Sequence, residues 1–466
     1  MKNHLYLYFR DLRIKDNLGL IETMNKEINI IPVFIFNDEQ INPIKNKYFS
    51  HNCVQFMCEA LQDLHNEFKK SNKKLYIFHG KNTVECLNYI HNLIDIDGIS
   101  YNMDYTPFAQ KRQAQIQKFC YKYKLSHNVY EDYLLAPVGT FLKHDGAMYG
   151  IYTPFRNNAL KKQNHIPNSN MKKTSNISKC DELESLSCYL HVDDIHKFYT
   201  RNENKLVMGT RKEGMKRLNN TKKLKYDNNR NELSLQTSLL SAYIKFGLLS
   251  IREVFWFFKD HKQYGLVDQL LWREFYYYVA YYNPRLLEKG KCYNEKYEKV
   301  KWVHSKHALE AWKNGKTGFP VVDAAMTEMN TTGYMHNRAR LISSNFLNRM
   351  LAQNWRKGEE YFAQTLTDYD PCVNNGNWQW IASCGTDPKP YFQRLFNPWL
   401  QSQRVDSDAK YIKKWLPQLK DIPAKELHDW ENHHHKYDLK EIGYYKPIVN
   451  YKDARTRSIE QYRQVL

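Results

Sequence analysis

Two domains of different class are predicted, an α/β domain with a parallel sheet over residues 1–130 and an all-α domain over residues 196–466, joined by a connector at 131–195. Three observations predict them. In the first 130 residues short apolar runs alternate with amphipathic segments, the pattern of strands joined by crossover helices. From about residue 195 onward a helical period dominates. Between the two, residues 161–170 and 172–176 are polar and turn-rich, which reads as an interdomain connector.

The elements follow in order. Leu5-Tyr6-Leu7-Tyr8-Phe9 is strand-like, and Ile30-Ile31-Pro32-Val33-Phe34-Ile35-Phe36 is a second apolar run with Pro32 near its start. Val54, Met57, Leu61, Leu64 and Phe68 form a helical stripe. Leu75-Tyr76-Ile77-Phe78-His79-Gly80 is a third strand and 84–94 a helix. Ile99-Ser100-Tyr101-Asn102 is a fourth strand, followed by a helix near 109–123. No Gly-x-Gly-x-x-Gly follows the first strand, so the domain is Rossmann-like without a dinucleotide motif. In the second half, Leu239, Leu240, Tyr243, Ile244 and Leu248 form one stripe, and Trp272, Phe275, Tyr276, Val279 and Ala280 another. Residues 335–351 read as one amphipathic helix carrying Arg338, Arg340 and Arg349.

Composition limits the function classes. The 466 residues carry 69 Lys+Arg against 50 Asp+Glu, a net charge of +19. That excess, together with 35 Tyr and 10 Trp, suits a polyanionic partner whose phosphates are neutralised and whose bases are stacked. No run of about 18 apolar residues exists, so no membrane span is expected. The apolar start around Leu5 is too short for a signal peptide, and an intracellular protein, cytoplasmic or nuclear, is expected. The nine cysteines are scattered without a Cys-x-x-Cys pair, which argues against a disulfide framework or a zinc site. Consecutive His433-His434-His435 cannot all face one ion from a helix. No metal is expected.

One motif misleads. Asn314-Gly315-Lys316-Thr317 contains the end of a phosphate-binding loop, but Glu310 stands where the first Gly of that motif is required. Residues 308–312 also read as helix rather than strand. An ATPase is therefore excluded. There is no His-Glu-x-x-His, and no His-x-Glu with Cys-x-x-Cys, so hydrolytic zinc chemistry and zinc deamination lack their parts.

What remains is aromatic and polar, and it carries a resemblance. Phe9-Arg10-Asp11-Leu12-Arg13-Ile14-Lys15-Asp16-Asn17 resembles, one residue shorter, the opening signature of the cryptochrome/photolyase flavoproteins. Tyr133-Leu134-Leu135-Ala136-Pro137 and Tyr152-Thr153-Pro154-Phe155 resemble that family's interdomain markers. The later matches are more specific: Thr237-Ser238-Leu239-Leu240-Ser241, Leu271-Trp272-Arg273-Glu274-Phe275-Tyr276, Gly315-Lys316-Thr317-Gly318-Phe319-Pro320-Val321-Val322-Asp323-Ala324-Ala325-Met326, Met335-His336-Asn337-Arg338 and Asn375-Gly376-Asn377-Trp378-Gln379-Trp380. They occur in the family's order and spacing, and most resemble the class I photolyases of cyclobutane pyrimidine dimers.

The resemblance implies that the helical domain binds FAD and that light drives an electron from reduced FAD into a flipped-out lesion of UV-damaged DNA. Tyr226, Thr237, Ser238, Leu239, Leu240 and Ser241 match flavin-holding positions. Asp368, Tyr369 and Asp370 match the stretch beside the isoalloxazine, with Arg340 pairing Asp368. Asn337 matches the position facing flavin N5. A neutral amide there can hydrogen-bond several flavin redox forms but cannot protonate N5 as an acid can. Trp378, Trp355 and Trp302 match an electron relay. Gln269, Trp272, Asn337 and Trp380 match the lesion pocket. Arg230, Arg273, Arg338, Arg394 and Gln401 match DNA-contacting positions.

Two positions depart from the family. Gln269 stands where many pyrimidine-dimer photolyases carry Glu, and Leu341 where a Met is common. Six-four photolyases need His at the positions of Asn337 and Leu341, which disfavours that lesion. Gln269 keeps a cryptochrome-like photoreceptor as the alternative. The chain stops soon after residues 451–455 without a long tail, which favours the enzyme. Asp104-Tyr105-Thr106-Pro107-Phe108-Ala109 lacks the Glu of folate-binding relatives, so a folate antenna is unsupported, and the identity of a second, antenna chromophore stays open among a folate, a deazaflavin, a flavin and none. A monomer is expected.

Overall fold

The computed structural model describes residues 3–26, 28–171, 176–386 and 390–465. The expected polar stretch 172–175 lies outside them. The chain divides into two compact units. Unit one comprises Met1–Asn202, Val207–Lys222 and Leu239–Tyr282, and unit two Glu203–Leu206, Lys223–Ser238 and Asn283–Leu466.

Unit one is built on five parallel strands, β1 (Asn3–Tyr8), β2 (Asn29–Asn37), β3 (Tyr76–Gly80), β4 (Ile96–Asn102) and β5 (Ser126–Tyr130), in the order β3-β2-β1-β4-β5. This is the doubly wound order, with β1 central. Leu5, Tyr6, Leu7 and Tyr8 are all buried, as a strand covered on both faces requires. Pro32 pairs with Tyr6 on the β1 side, and pairing with β3 begins only at Val33, so its missing N–H breaks no ladder there. Helices α1 (His51–Lys70), α2 (Thr83–Leu93) and α3 (Pro107–Lys122) start at Ser50, Asn82 and Thr106, whose side chains accept from the backbone of the first turn. The sequence reading missed β5, whose Ser126-His127-Asn128-Val129-Tyr130 is only partly covered and lacks an apolar run.

In place of a glycine-rich turn after β1 stands a buried polar network. The Asp11 carboxylate accepts from Phe9 N (2.8 Å), Tyr6 Oη (2.9 Å) and Asn102 Nδ2 (2.7 Å), and Asn17 both joins it and caps the helix Leu18–Met24. The opening motif is thus accounted for by internal hydrogen bonding. A second buried cluster holds the helix α5 (Ile251–Asp260). Asp132 pairs with Arg13 (2.5 Å) and Arg252 (2.7 Å), and Arg252 also donates to Asp16 O (2.9 Å). Burial alone would raise the Asp132 pKa; the two guanidinium groups outweigh it and hold the carboxylate down at about 2. Residues 176–198 lie along the sheet edge: His79 N donates to Cys188 O and Leu190 N to Ile77 O, while Ile177, Leu183, Leu190 and Ile195 are buried.

Unit two is helical. Its core gathers around α7 (Lys306–Lys313) and α8 (Pro320–Thr332); α8 starts at Pro320 and ends at Gly333 in the left-handed conformation, φ +68°. The expected single helix at 335–351 is two pieces, α9 (Asn337–Asn345) and a π-helical turn at Phe346–Met350. His336 is the cap: its Nδ1 accepts from Arg338 N. Helices α10 (Trp355–Thr365) and α11 (Pro371–Ile381) pack on each other, and α12 (Pro398–Val405) follows. Among the described residues no helix is long and apolar enough to cross a membrane.

Candidate active site

The chain from Tyr226 to Ser241 places the first group of singled-out residues. Tyr226 is half-buried and opens the short helix Tyr226–Asn229. Thr237, Ser238 and Leu239 are half-buried, Leu240 is buried, and Ser241 is exposed at the start of the helix Ser241–Lys245. Leu239 has φ +51°, a left-handed conformation that costs a non-glycine residue about 1–2 kcal/mol. Among the described residues, none of the backbone N–H groups of Thr237, Ser238, Leu239 or Leu240 donates to another residue. Four successive donors in a strained loop suit an anionic oxygen cluster.

In unit two, Asn337 is the first residue of α9 and is exposed, while Met335 and His336 before it are buried. One turn on, Arg340 makes two hydrogen bonds to Asp368, 3.0 Å to Oδ1 and 2.9 Å to Oδ2, and its Nε donates to Met335 O. Burial would lower the Arg340 pKa; Asp368 more than compensates, so the cation is secured. The loop bearing Asp368 and Tyr369 is held by Thr367 N donating to Gly333 O. Asp370 caps α11, accepting from Cys372 N and Val373 N at 3.1 Å each. Burial, with Arg338 and Arg340 close by, pushes His336 down to about 4, so its imidazole is neutral; among the described residues its buried Nε2 has no hydrogen-bond partner.

The three relay candidates share one core. Trp378 and Trp355 are buried in it, and Trp302 packs partly exposed at its edge against Tyr462. Trp378 lies edge-on to Phe362 at 5.0 Å, over Gly358 of α10, where a Cβ would meet its Cζ3 at 2.6 Å. Arg356 covers the Trp355 ring at 4.6 Å and pairs with Glu298 at 2.8 Å.

Unit one holds Gln269, Trp272 and Arg273 on α6 (Tyr264–Tyr282), all half-buried. The matched motifs pack on one another. Leu135 N donates to Glu274 (2.8 Å), a buried carboxyl whose pKa burial raises to about 7. Helix α4 (Tyr152–Lys161) lays Tyr152 on Trp272. Arg273 lies over the Tyr133 ring at 4.3 Å.

The arginine and glutamine candidates differ in exposure. Arg230 is exposed, Arg338 is half-buried with Asn231 accepting from it, and Gln401 is half-buried on α12. Arg394 is buried, 4.2 Å over the half-buried Trp380 ring, and donates to the Trp380 carbonyl. The sequence reading missed Arg404, whose charge joins that of Arg230 after burial in lowering the Arg338 pKa. Its only signal was position, one turn after Gln401.

The false phosphate loop has its own explanation. Thr317 N and Oγ1 donate to Asp323 Oδ1 (2.8 and 2.6 Å), and Gly318 N donates to Oδ2 (2.9 Å). The donors that could have cradled a phosphate close on an internal carboxylate, which Tyr444 also reaches at 2.7 Å. Among the described residues, no group of three His, Cys, Asp or Glu side chains could hold a metal ion.

Comparison with known proteins gives this geometry its context. Residues 4–173 match the DNA photolyase family model, and residues 266–464 match the FAD binding domain of DNA photolyase. The deoxyribodipyrimidine photo-lyase of Halobacterium salinarum is 30% identical, over 99% of this chain and 98% of that protein. The crystal structure of an archaeal photolyase from Sulfolobus tokodaii, with two FAD molecules, is 34% identical and superposes with a TM-score of 0.88, covering 99% and 100% of the two chains. The Synechocystis cryptochrome shares the fold, at 24% identity and a TM-score of 0.86, with 99% of each chain covered. In unit two, a secured cation at Arg340 and an exposed amide at Asn337 have the chemistry that suits the ring of an FAD group. With an α/β unit of doubly wound order, a helical FAD-binding domain and relatives matched from end to end, the chain belongs to the cryptochrome/photolyase family.

Proposed function

We propose that this chain is a class I photolyase, which splits cyclobutane pyrimidine dimers in UV-damaged DNA under blue light. The observation that carries the reading is Asn337, a neutral amide exposed at the start of α9 and one turn from the Arg340–Asp368 pair. Bound and reduced, FAD supplies the light-driven electron that opens the cyclobutane ring. The chain's own residues do the rest. The backbone of Thr237, Ser238, Leu239, Leu240 and Ser241, with Tyr226, binds the pyrophosphate side. Arg340, kept in place by Asp368, balances negative charge on the ring, and Tyr369 and Asp370 complete that wall. Asn337 donates or accepts at flavin N5 without yielding a proton.

Trp272 and Trp380 offer indole faces on which extruded pyrimidines stack, and Gln269 donates to a pyrimidine carbonyl. Arg230, Arg273, Arg338 and Gln401 hold the flanking backbone, and Arg394 keeps Trp380 in place. Trp302, Trp355 and Trp378 are oxidisable indoles of one core and pass electrons inward from its edge. In functional terms residues 1–130 form an antenna-type domain, 131–195 a connector and 196–466 the catalytic domain. The two FAD molecules of the Sulfolobus tokodaii photolyase are consistent with a second chromophore in this chain too. The protein acts as an intracellular monomer, in cytoplasm or nucleus.

The test is illumination of dimer-containing DNA with the FAD-loaded, reduced protein. Dimers should disappear in blue light and persist in the dark. Gln269 favours a second reading, a cryptochrome-like photoreceptor, which predicts flavin photochemistry with no loss of dimers. A six-four photolyase, the remaining alternative, would clear six-four photoproducts instead.

A further inference from the structure

Trp272 does not stand alone on its helix. Tyr152 of α4 lies flat on it, with ring centroids 3.5 Å apart and planes 10° from parallel. Phe275 meets the indole edge-on at 5.9 Å, and Tyr276 flanks it at 5.7 Å. Tyr152 is itself fixed: its hydroxyl donates to Asp268 O at 2.9 Å, and its ring meets Phe275 edge-on at 5.8 Å. One turn along α4, Arg156 Nε binds Asp268 Oδ1 at 2.6 Å. Asp268 and Trp272 are four residues apart on α6, as Tyr152 and Arg156 are on α4, so each pair presents one face. All six groups belong to unit one.

The physical consequence is rigidity. A half-exposed tryptophan on a helix ordinarily samples several rotamers, and a base that stacks on it must immobilise it at an affinity cost of about 2- to 10-fold. Here one indole face is already covered by a phenol whose own position is set by a hydrogen bond and an ion pair. At most the opposite face is left to offer, at one angle.

We propose that Tyr152 is a positioning residue that presets Trp272 for stacking on a damaged, extruded pyrimidine pair, so that it sets lesion preference rather than DNA affinity in general. The inference rests on the reading of Trp272 as a lesion-stacking residue. It places the Tyr-Thr-Pro-Phe segment in recognition as well as in packing.

The experiment measures dark binding of the full FAD-loaded chain to two duplexes, one carrying a single cyclobutane pyrimidine dimer and one undamaged. Tyr152→Leu should weaken binding of the dimer duplex about 10-fold and leave the undamaged duplex within about 2-fold. Repair per absorbed photon at saturation should be unchanged. Tyr152→Phe, which keeps the ring, should recover most of the lost affinity. Should Tyr152→Leu not fold, judged by flavin content and melting, Tyr152→Met removes the aromatic plane while keeping bulk and carries the same expectation. Equal weakening of both duplexes, or a Phe variant no better than Leu, overturns the proposal. Trp272→Ala separates this from failure of the underlying reading: if that variant keeps the parent's dimer preference, Trp272 is not a lesion-stacking residue at all.

Discussion

At Gly358 the residue scale shows how a site depends on an absent atom. The glycine lies on α10, and a Cβ there would meet Trp378 Cζ3 and Leu347 Cδ2 at 2.6 Å each. Gly358→Ala should therefore destabilise unit two by about 1–3 kcal/mol, read by chemical denaturation, because a packed core cannot yield that distance without strain. The indole it accommodates is one of the three proposed to relay electrons to the flavin. Trp378→Phe should abolish photoreduction of oxidised flavin while sparing repair by pre-reduced protein, read by absorption and by dimer loss. Loss of both activities in a folded variant would mean that Trp378 does not belong to a relay. The sequence marked Trp378 by its Asn377 and Gln379 neighbours, but nothing in its own segment announced Gly358, which is twenty residues away. Tyr152 was marked only as part of an interdomain motif and Arg404 not at all, for the same reason: their partners lie on other elements.

Among the elements, long periodic ones were legible and short polar ones were not. The stripe from Val54 to Phe68 became α1, and four apolar runs became β1 to β4. The strand β5 escaped because an edge strand, covered only in part, needs no apolar run. The helix expected at 335–351 starts two residues later because His336 caps α9, and it turns π-helical where the ladder widens at Phe346–Met350. What ties elements together is visible at Asp132. It stands just beyond β5 and joins Arg13, after β1, to Arg252 of α5. With a folded pKa of about 2 against an ordinary 3.8, this carboxylate contributes stability that is fully present above about pH 4 and is lost as pH falls toward 2. Asp132→Asn should cost about 3 kcal/mol near neutral pH, since it leaves two buried cations underpaired. Its stability should also fall less steeply than the parent's between pH 4 and pH 2, as denaturation at a series of pH values will show. An unchanged acid slope would place the sensitivity in another carboxylate.

For the molecule as a whole, a net charge of +19 is a statement about encounter, and exposure decides which cations take part. Arg230 is exposed and Arg338 half-exposed near Arg404, whereas Arg273 and Arg394 are engaged with aromatic rings. Arg230→Ala should weaken damaged and undamaged DNA alike and reduce the slope of log affinity against log salt by about 1. A loss confined to damaged DNA would instead place Arg230 at the lesion. The sequence by itself determined the two fold classes, the family and the flavin, and offered the aromatic and basic candidates of the site, because periodicity and ordered motifs are local in the chain. Only the tertiary structure decided that the Gly-Lys-Thr donors close on Asp323, that Arg394 lies on Trp380, and that Tyr152 covers one face of Trp272. Whether the partners are six residues apart, as Thr317 and Asp323 are, or on separate helices, as Tyr152 and Trp272 are, a donor, a cation or an indole face is free for a ligand only where the fold brings nothing else against it.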